Sequence, residues 1–403
     1  MFTFSNNDII SQWLKKKGWI LYEHQINVLN KISKVKSILL VAPTGTGKTL
    51  AGFLPSILDC TNRKIKKNSL HTLYISPLKS LTYDIQRNLQ KPINDMNLDL
   101  NIECRTGDTS YTKKKDQLES PPTILATTIE SFALLMSEKN SFNFFSDLKY
   151  VVIDEVHSLT NSKRGELLAL NLGRLKFFCK NIKLILLSAT VADPKITSRY
   201  FCSENKEIIF ANVKKLMNVK ILKTSKKLPW SGHMADHSKA AIYKMILKKK
   251  CIIFVNTRAQ AELLYQNLWK MNSSNLKIAL HHGSLEKKLR MNVEQKMSNG
   301  EIDCIVATSS LEMGLDWSNI QLVIQVGAPK GVTRLIQRIG RSNHTLKGTS
   351  EAILVPTNRF EFVECYAALV ALEKKDLDSS PEREGSIDVL AQHILGVACS
   401  TTI

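Results

Sequence analysis

The sequence of 403 residues predicts an α/β fold of two tandem units, each built on a parallel sheet. Short, almost entirely apolar runs alternate with segments of helical periodicity. This alternation is typical of parallel strands that are covered by helices on both faces. It weakens into a lysine-rich stretch after about residue 205 and starts again near residue 236. Such a break indicates a boundary between two domains.

Five apolar runs predict strands in each unit. Those of the first unit are SILLVA (37–42), HTLYISP (71–77), TILATT (123–128), YVVIDE (150–155) and KLILLSAT (183–190). Those of the second unit are CIIFVN (251–256), IALHH (278–282), DCIVATS (303–309), LVIQVGA (in the region of 321–327) and AILVPT (352–357). We therefore expect domains at 1–205 and 236–380 with a linker at 206–235. The segment 381–403 begins like an amphipathic helix, and we expect it to start a further domain that the chain does not complete.

Composition and charge narrow the class of protein. Hydrophobic residues make up 43% of the chain and charged residues 23%, which argues against disorder. No apolar run approaches the ~18 residues that a membrane-spanning helix needs, and the first residues do not have the pattern of a secretory signal. The 8 cysteines form no C-x-x-C pair, so we expect reduced thiols in a cytoplasmic protein. The net charge of +20 favours association with nucleic acids, although scattered lysines also serve solubility.

The sequence APTGTGKT (42–49) follows a predicted strand and precedes a helical segment. This context is typical of a loop whose backbone N–H groups surround a phosphate, here formed by Thr44, Gly45, Thr46 and Gly47. Lys48 would contact the β- and γ-phosphates, and the hydroxyl of Thr49 would bind Mg²⁺. Ala42 stands where the motif usually has its first glycine, and a chance glycine-rich turn is the weaker alternative.

Two further motifs carry charged groups suited to phosphoryl transfer. VVIDEVH (151–157) is an apolar strand that ends in Asp154, placed to bind Mg²⁺, and Glu155, placed to orient and deprotonate the attacking water. An ordinary acidic loop is the alternative, but the neighbouring phosphate loop favours the catalytic interpretation. In QRIGR (337–341), Arg341, with Arg338 as second candidate, would neutralise charge on the γ-phosphate if the two units face each other. A basic surface turn is the alternative there.

Together these motifs resemble those of the superfamily 2 DExH-box helicases along nearly the whole chain. Gln25 in GWILYEHQ (18–25) resembles the glutamine that reads adenine in this family, and Ser188, Ala189 and Thr190 resemble the element that couples hydrolysis to domain closure. Gly314 and Asp316 would lie near the nucleotide. A finer resemblance is to the Lhr-like helicases, in particular the bacterial ligase-associated DNA helicases. It rests on DEVHSLTNSKRGELLAL, FVNTRAQAELL and VGAPKGVTRLIQRIGRSNH.

The resemblance implies two tandem RecA-like domains, followed at 381–403 by the start of a truncated winged-helix region. It implies ATP and Mg²⁺ as cofactors and ATP-dependent movement along single-stranded DNA, with duplex unwinding in DNA repair. The implied partners are single-stranded DNA, a tailed duplex or an RNA–DNA hybrid, and a DNA ligase and a nuclease of a repair pathway. It also implies a cytoplasmic, nucleoid-associated location and no membrane partner.

Candidate nucleic-acid contacts are polar or basic residues near the ends of predicted strands. They are Lys79, Thr106, Thr128, Arg258, Ser284 and Thr308. These side chains suit phosphates rather than base edges, although Ser and Thr at strand ends more often cap the next helix. Three alternatives stay open: an RNA helicase, an ATP-dependent nucleic-acid clamp that does not unwind, and an inactive remnant.

Overall fold

The computed structural model describes residues 9–62, 66–202, 205–213, 216–223, 227–232, 235–312, 320–343, 348–378 and 384–400. These residues fall into two units. The first lies within 1–42, 47–212 and 379–403, and the second lies within 43–46 and 213–378. The prediction of two parallel-sheet units is confirmed.

Within the described residues, the first unit contains one sheet of seven parallel strands in the order β3-β4-β2-β5-β6-β1-β7. The strands are β1 (Ser37–Val41), β2 (Thr72–Ser76), β3 (Ile102–Arg105), β4 (Ile124–Thr128), β5 (Tyr150–Ile153), β6 (Lys183–Ser188) and β7 (Lys206–Phe210). Leu39 of β1 lies opposite Leu186 of β6 on one side and Ile208 of β7 on the other. Because all strands run in one direction, their carboxyl ends share one edge of the sheet.

Helices cover both faces of this sheet. They are α1 (Ile9–Lys17), α2 (Glu23–Ile32), α3 (Lys48–Asn62), α4 (Lys79–Asp95), α5 (Tyr111–Glu119), α6 (Ile129–Met136), α7 (Ser141–Phe145), α8 (Lys163–Phe178) and α9 (Pro194–Phe201). Ile38 and Leu40 of β1 pack into the core that includes α2 and α3, whereas Leu39 packs into the core that includes α6 and α8. Burial on both faces explains why the interior strands are continuous apolar runs rather than alternating ones.

The second unit repeats this arrangement with a sheet of six parallel strands among its described residues, in the order β10-β11-β9-β12-β13-β8. The strands are β8 (Met217–Ile221), β9 (Cys251–Phe254), β10 (Ile278–His281), β11 (Cys304–Ala307), β12 (Leu322–Val326) and β13 (Ser350–Val355). The helices are α10 (Lys239–Ile246), α11 (Arg258–Lys270), α12 (Lys287–Ser298), α13 (Val332–Ile339) and α14 (Arg359–Lys374). Ile253 and Ile252 of β9 again belong to separate cores on opposite faces.

All ten strands that the sequence predicts are present, but three strands are not predicted. These are β3, β7 and β8, and each lies at an edge of its sheet. An edge strand is covered less completely, so its residues need not be uniformly apolar: β8 reads MNVKI and is largely exposed or half-buried. The segment predicted as a linker, 206–235, contains two of these strands: β7 completes the first sheet and β8 the second.

The last described helix, α15 (Ile387–Ser400), belongs to the first unit. Val389 enters the same core as α6 and α8. Asp388 accepts a bond of 2.7 Å from Nζ of Lys163, and Oε2 of Glu166 accepts one of 3.0 Å from the backbone N–H of Ser386. The helix expected at the start of 381–403 is thus present and packs on α8, while its place in a winged-helix region stays a prediction. Among the helices of the described ranges, none is both long and apolar enough for a membrane crossing.

Two glycines of α8 give a matched test of how closely the preceding turn packs against the start of this helix. A Cβ atom at Gly165 would lie 2.0 Å from the carbonyl oxygen of Leu159, whereas one at Gly173 would meet no atom within 4 Å. We expect Gly165→Ala to lower the free energy of unfolding by about 1–3 kcal/mol, because the backbone must move. Gly173→Ala should raise it by about 0.5–1 kcal/mol, because alanine loses less entropy in a helix. Urea unfolding of both variants checks this, and equal effects would contradict the packing described.

Candidate active site

The loop between β1 and α3 has the backbone of a phosphate-binding loop. Gly45 and Gly47 have φ values of 81° and 72°, in the left-handed region that favours glycine. A Cβ at Gly47 would lie 2.6 Å from Nε2 of Gln25, so a larger residue there would have to displace the Gln25 side chain. The hydroxyl of Thr46 donates to the carbonyl of Pro43 at 2.7 Å and tightens the turn. Lys48 follows as the first residue of α3, where the free N–H groups of the helix favour an anion.

Gln25, the predicted adenine-reading residue, is packed against this loop. Its side chain is only 2% exposed. Nε2 donates to the carbonyl of Gly47 at 3.1 Å, and Oε1 accepts from the backbone N–H of Tyr22 at 2.9 Å. The side chain therefore ties the start of α2 to the phosphate loop. Its contact with adenine stays a prediction.

Asp154 and Glu155 follow β5 and are both buried. Oδ2 of Asp154 accepts from the hydroxyl of Tyr74 at 2.8 Å, and Oδ1 accepts from the backbone N–H of Glu155 at 2.8 Å. Burial, followed by the charge of Glu155, raises the pKa of Asp154 from 3.8 to about 6, although Lys48 and the two hydrogen bonds act in the opposite direction. Glu155 has a φ of 50°, an unusual conformation for a residue other than glycine and one that is found at functional sites.

His157 joins the carboxylates to the end of β6. Its Nδ1 lies 3.5 Å from Oε2 of Glu155 and 3.0 Å from the hydroxyl of Ser188, which in turn donates to the carbonyl of Thr190 at 3.1 Å. Burial lowers the pKa of His157, so its neutral form is favoured. Of the predicted coupling residues Ser188, Ala189 and Thr190, Ser188 thus contacts His157 in the segment that holds Glu155.

Tyr74 and His157 are the site residues that sequence reasoning does not assign. The strand TLYIS gives no sign that its tyrosine bonds a carboxylate 80 positions away. Burial and the charge of Asp154 raise the pKa of Tyr74, so its hydroxyl remains a donor. His157 could have been assigned to the site from the sequence, because it is the last residue of the DEVH motif that contains Asp154 and Glu155.

Thr49 and Asp154 have the chemistry for the predicted Mg²⁺ site. Carboxylate and hydroxyl oxygens are the ligands that Mg²⁺ prefers, alongside phosphate oxygens and water. Each oxygen of Asp154 accepts one hydrogen bond and keeps a further lone pair. The donor set therefore fits a cation that arrives with the nucleotide.

In the second unit, Arg338 and Arg341 are both buried. Arg338 is buried: its Nε donates to Glu312 at 2.8 Å, Nη2 also donates to Glu312, Nη1 donates to Gln325, and the guanidinium lies 5.1 Å from the ring centre of Phe254. These contacts make Arg338 part of the core of its own unit. Arg341 has a 3.5 Å bond from Nε to the carbonyl of Gln337. Gly314 and Asp316 lie outside the described residues.

The nucleic-acid candidates of the first unit lie at the carboxyl edge of its sheet, but two of them have structural partners. The hydroxyl of Thr106 lies 3.1 Å from the hydroxyl of Tyr83, and that of Thr128 caps α6 by accepting from the N–H of Ser131 at 3.4 Å. Both residues are buried. Lys79 is exposed and forms a 2.6 Å ion pair with Asp108.

The candidates of the second unit follow β9, β10 and β11, which are neighbours in the sheet. Arg258 and Ser284 are exposed, and Thr308 is half-buried. A Cβ at Gly283 would lie 3.9 Å from Nη2 of Arg258, so the loop after β10 approaches the start of α11. The backbone N–H of Thr308 donates to the carbonyl of His281 at 3.3 Å. The structure therefore brings this set together at one edge.

Two family models match the chain. The DEAD/DEAH box helicase model matches residues 22–197, and the helicase conserved C-terminal domain model matches residues 237–344. Together with the two parallel sheets, these matches define a helicase core with the tandem RecA-like fold. The chain belongs to the DEAD/DEAH box helicases and, within them, to the Lhr-like group, on the following similarities.

The ATP-dependent helicase Lhr-Core of Methanocaldococcus jannaschii is 32% identical over 96% of this chain, and that of Sulfolobus acidocaldarius is 34% identical over 98%. The solved structure of Mycobacterium smegmatis helicase Lhr bound to ssDNA and AMP-PNP has a TM-score of 0.87 and 29% identity, and the match covers 97% of this chain and 53% of that one. The chain spans 48% and 47% of the lengths of the two archaeal relatives.

The raised pKa of Asp154 gives a pH dependence for the nucleotide-free protein. The folded state holds a proton on Asp154 between the ordinary value of 3.8 and about 6, so this group's contribution to the free energy of unfolding falls as pH rises through that window. In Asp154→Asn, Oδ1 can still accept from the N–H of Glu155, and Nδ2 can donate to the hydroxyl of Tyr74, without the buried charge. We expect it to be more stable than wild type well above the folded-state pKa, by at most about 3 kcal/mol.

The measurement is urea unfolding of wild type and Asp154→Asn across this pH range, with EDTA and no nucleotide. The difference between the two proteins should shrink towards pH 3.8, where the carboxyl group is mainly protonated when folded. A difference that is constant with pH would contradict the proposed cost of the buried charge.

Proposed function

We propose that this chain is an ATP-dependent DNA helicase or translocase, which couples ATP hydrolysis to movement on single-stranded DNA. The observation that carries the proposal is the grouping of the phosphate loop, the Asp154–Glu155 pair and Ser188 at one edge of one sheet. The similar Lhr helicase of Mycobacterium smegmatis was solved bound to ssDNA and AMP-PNP, which supports the choice of substrate. A role in DNA repair beside a ligase and a nuclease is the finer form of this proposal.

In this mechanism, residues that follow strands of the first sheet bind ATP and activate water. The loop 44–47 surrounds the phosphates with N–H groups, and Lys48 adds a positive charge. Thr49 and Asp154 would hold Mg²⁺, which neutralises phosphate charge when it is bound. Glu155 orients the attacking water and accepts its proton. Arg341 is our first candidate for the arginine that stabilises the developing charge, and Arg338, whose guanidinium donates to Glu312 and Gln325, is the second.

The contact between His157 and Ser188 offers a route from hydrolysis to strand binding. A displacement of Glu155 would shift His157, which lies 3.5 Å from it. The shift of His157 would in turn displace Ser188, which lies 3.0 Å from His157 at the end of β6. Because packed elements shift as units rather than deform continuously, a small displacement there changes the loops at the same edge. Nucleotide turnover would thereby alternate the strength with which the strand is held.

Removal of the Lys48 charge tests the phosphate loop. We expect Lys48→Ala to lower DNA-stimulated ATP hydrolysis by at least about 100-fold, because a preorganised positive group at the phosphates is lost. DNA binding without nucleotide should be nearly unchanged. Steady-state ATP turnover with and without single-stranded DNA is the measurement, and the exposed Lys180→Ala is the matched control. Wild-type turnover in Lys48→Ala would show the loop to be wrongly assigned.

Glu155→Gln separates binding from hydrolysis. Glutamine keeps the size of the side chain but does not accept the proton, so turnover should fall by about 100-fold or more while ATP still binds. The variant should then retain DNA longer in the presence of ATP, as measured by dissociation of a labelled strand. Glu373→Gln, at an exposed site in α14, is the control. Faster release of DNA by Glu155→Gln with ATP would refute the role given to Glu155.

A further inference from the structure

The turn that joins β3 to α5, residues 106–111, ends in an aromatic residue that points to solvent. Tyr111, the first residue of α5, is 84% exposed. The turn follows the carboxyl end of β3, which is the outermost strand of the first sheet on that side. The next two strands are β4 and β2, and the candidate nucleic-acid contacts Thr106, Thr128 and Lys79 lie at or just after the carboxyl ends of β3, β4 and β2. An aromatic ring held in water at this position has no packing role in the described part of the chain.

Hydrogen bonds fix the backbone of this turn. The N–H of Thr106 donates to the hydroxyl of Thr109 at 2.9 Å, and the N–H of Thr109 donates to the carbonyl of Thr106 at 3.1 Å. The N–H of Asp108 donates to the hydroxyl of Thr106 at 3.2 Å, and Ser110 caps α5 by accepting from the N–H of Lys113. The turn is therefore preorganised, which lowers the entropy that a contact made by Tyr111 would cost.

The positive charges around Tyr111 are partly neutralised. Lys79 pairs with Asp108 at 2.6 Å, Lys113 lies 3.7 Å from Glu103, and Lys115 lies 3.7 Å from Glu119. Phosphate attraction alone would therefore be weak at this end of the edge. A ring face that is open to solvent offers a contact that does not depend on charge, because every base has a face that stacks on an aromatic side chain.

We propose that Tyr111 stacks on one base of the bound single-stranded nucleic acid and so fixes the position of that nucleic acid beside β3, at the carboxyl edge of the first sheet. This inference rests on the proposed function, since it requires that the chain bind a single strand. Stacking of this kind tolerates any base, so it adds affinity without sequence preference. It assigns to the 106–111 turn a base contact in addition to the backbone contacts predicted there.

The experiment measures equilibrium binding of the full chain, with AMP-PNP, to a duplex with a single-stranded tail that fixes the register. Tyr111→Ala should weaken binding by about 5- to 100-fold, as expected for the loss of one stacked base. Tyr111→Phe keeps the ring and should bind like wild type. Phe177→Ala is the matched control, because Phe177 is 79% exposed but lies at the far end of α8, which leads to the amino end of β6.

Two further readouts separate stacking from a structural or ionic effect. In a series of tails that each carry one abasic site, loss of the base at one position should weaken binding by wild type but should not weaken binding by Tyr111→Ala further, because that variant already lacks the ring on which the base stacks. The dependence of affinity on salt should be the same in Tyr111→Ala and wild type, because no phosphate contact is lost.

Several results would overturn the inference. Unchanged affinity in Tyr111→Ala, equal weakening in Phe177→Ala, a loss in Tyr111→Phe, or a smaller salt dependence in Tyr111→Ala would each exclude stacking by this ring. These results leave the proposed function intact, provided that wild type binds the tail. If wild type does not bind the tail at all, both the proposed function and this inference fail.

Discussion

Parallel pairing in the first sheet is the constraint on which the candidate active site depends. The register sets Val41, the last residue of β1, opposite Ser188, the last residue of β6, and sets Ile153 at the end of β5 opposite Leu186. The phosphate loop, the Asp154–Glu155 pair and the segment 188–190 therefore leave the sheet at one edge, although they are far apart in sequence. A register change of one residue would separate these groups and turn the apolar side chains of the strand to the opposite face.

Burial of Asp154 and Glu155, the candidate catalytic carboxylates, has an energetic cost that the surrounding residues offset only in part. Tyr74 and the backbone N–H of Glu155 satisfy the oxygens of Asp154, and Lys48 supplies a nearby positive charge. The pKa of Asp154 is nevertheless raised, because desolvation and the charge of Glu155 outweigh these contacts. A bound cation would stabilise these buried negative charges, so the free energy that their burial costs without ligand would be partly recovered when Mg²⁺ and the nucleotide bind.

The sequence predicts those parts of the fold in which burial requires apolar residues or the backbone conformation requires glycine. Interior strands such as β1 and β5 are buried on both faces and are therefore apolar throughout, and the glycines at 45 and 47 are required by the left-handed backbone. The edge strands β7 and β8 escaped prediction because partial exposure removes that pattern. The partners of Arg338 and Tyr74 escaped because they are set by tertiary contacts between residues distant in sequence, which no local motif encodes.

The hydroxyl groups at the carboxyl edge of the first sheet limit how that edge could bind single-stranded nucleic acid. The hydroxyls of Thr106 and Thr128 already bond Tyr83 and the N–H of Ser131, and both side chains are buried. Their presence at strand ends thus has a structural explanation, whereas Arg258 and Ser284 in the second unit are exposed. Under the proposed function, we therefore expect contacts from the first unit to come mainly from backbone N–H groups and from exposed side chains such as Lys79, which would have to exchange Asp108 for a phosphate. A stacked ring adds the kind of affinity that such a surface lacks, because it does not require further charge.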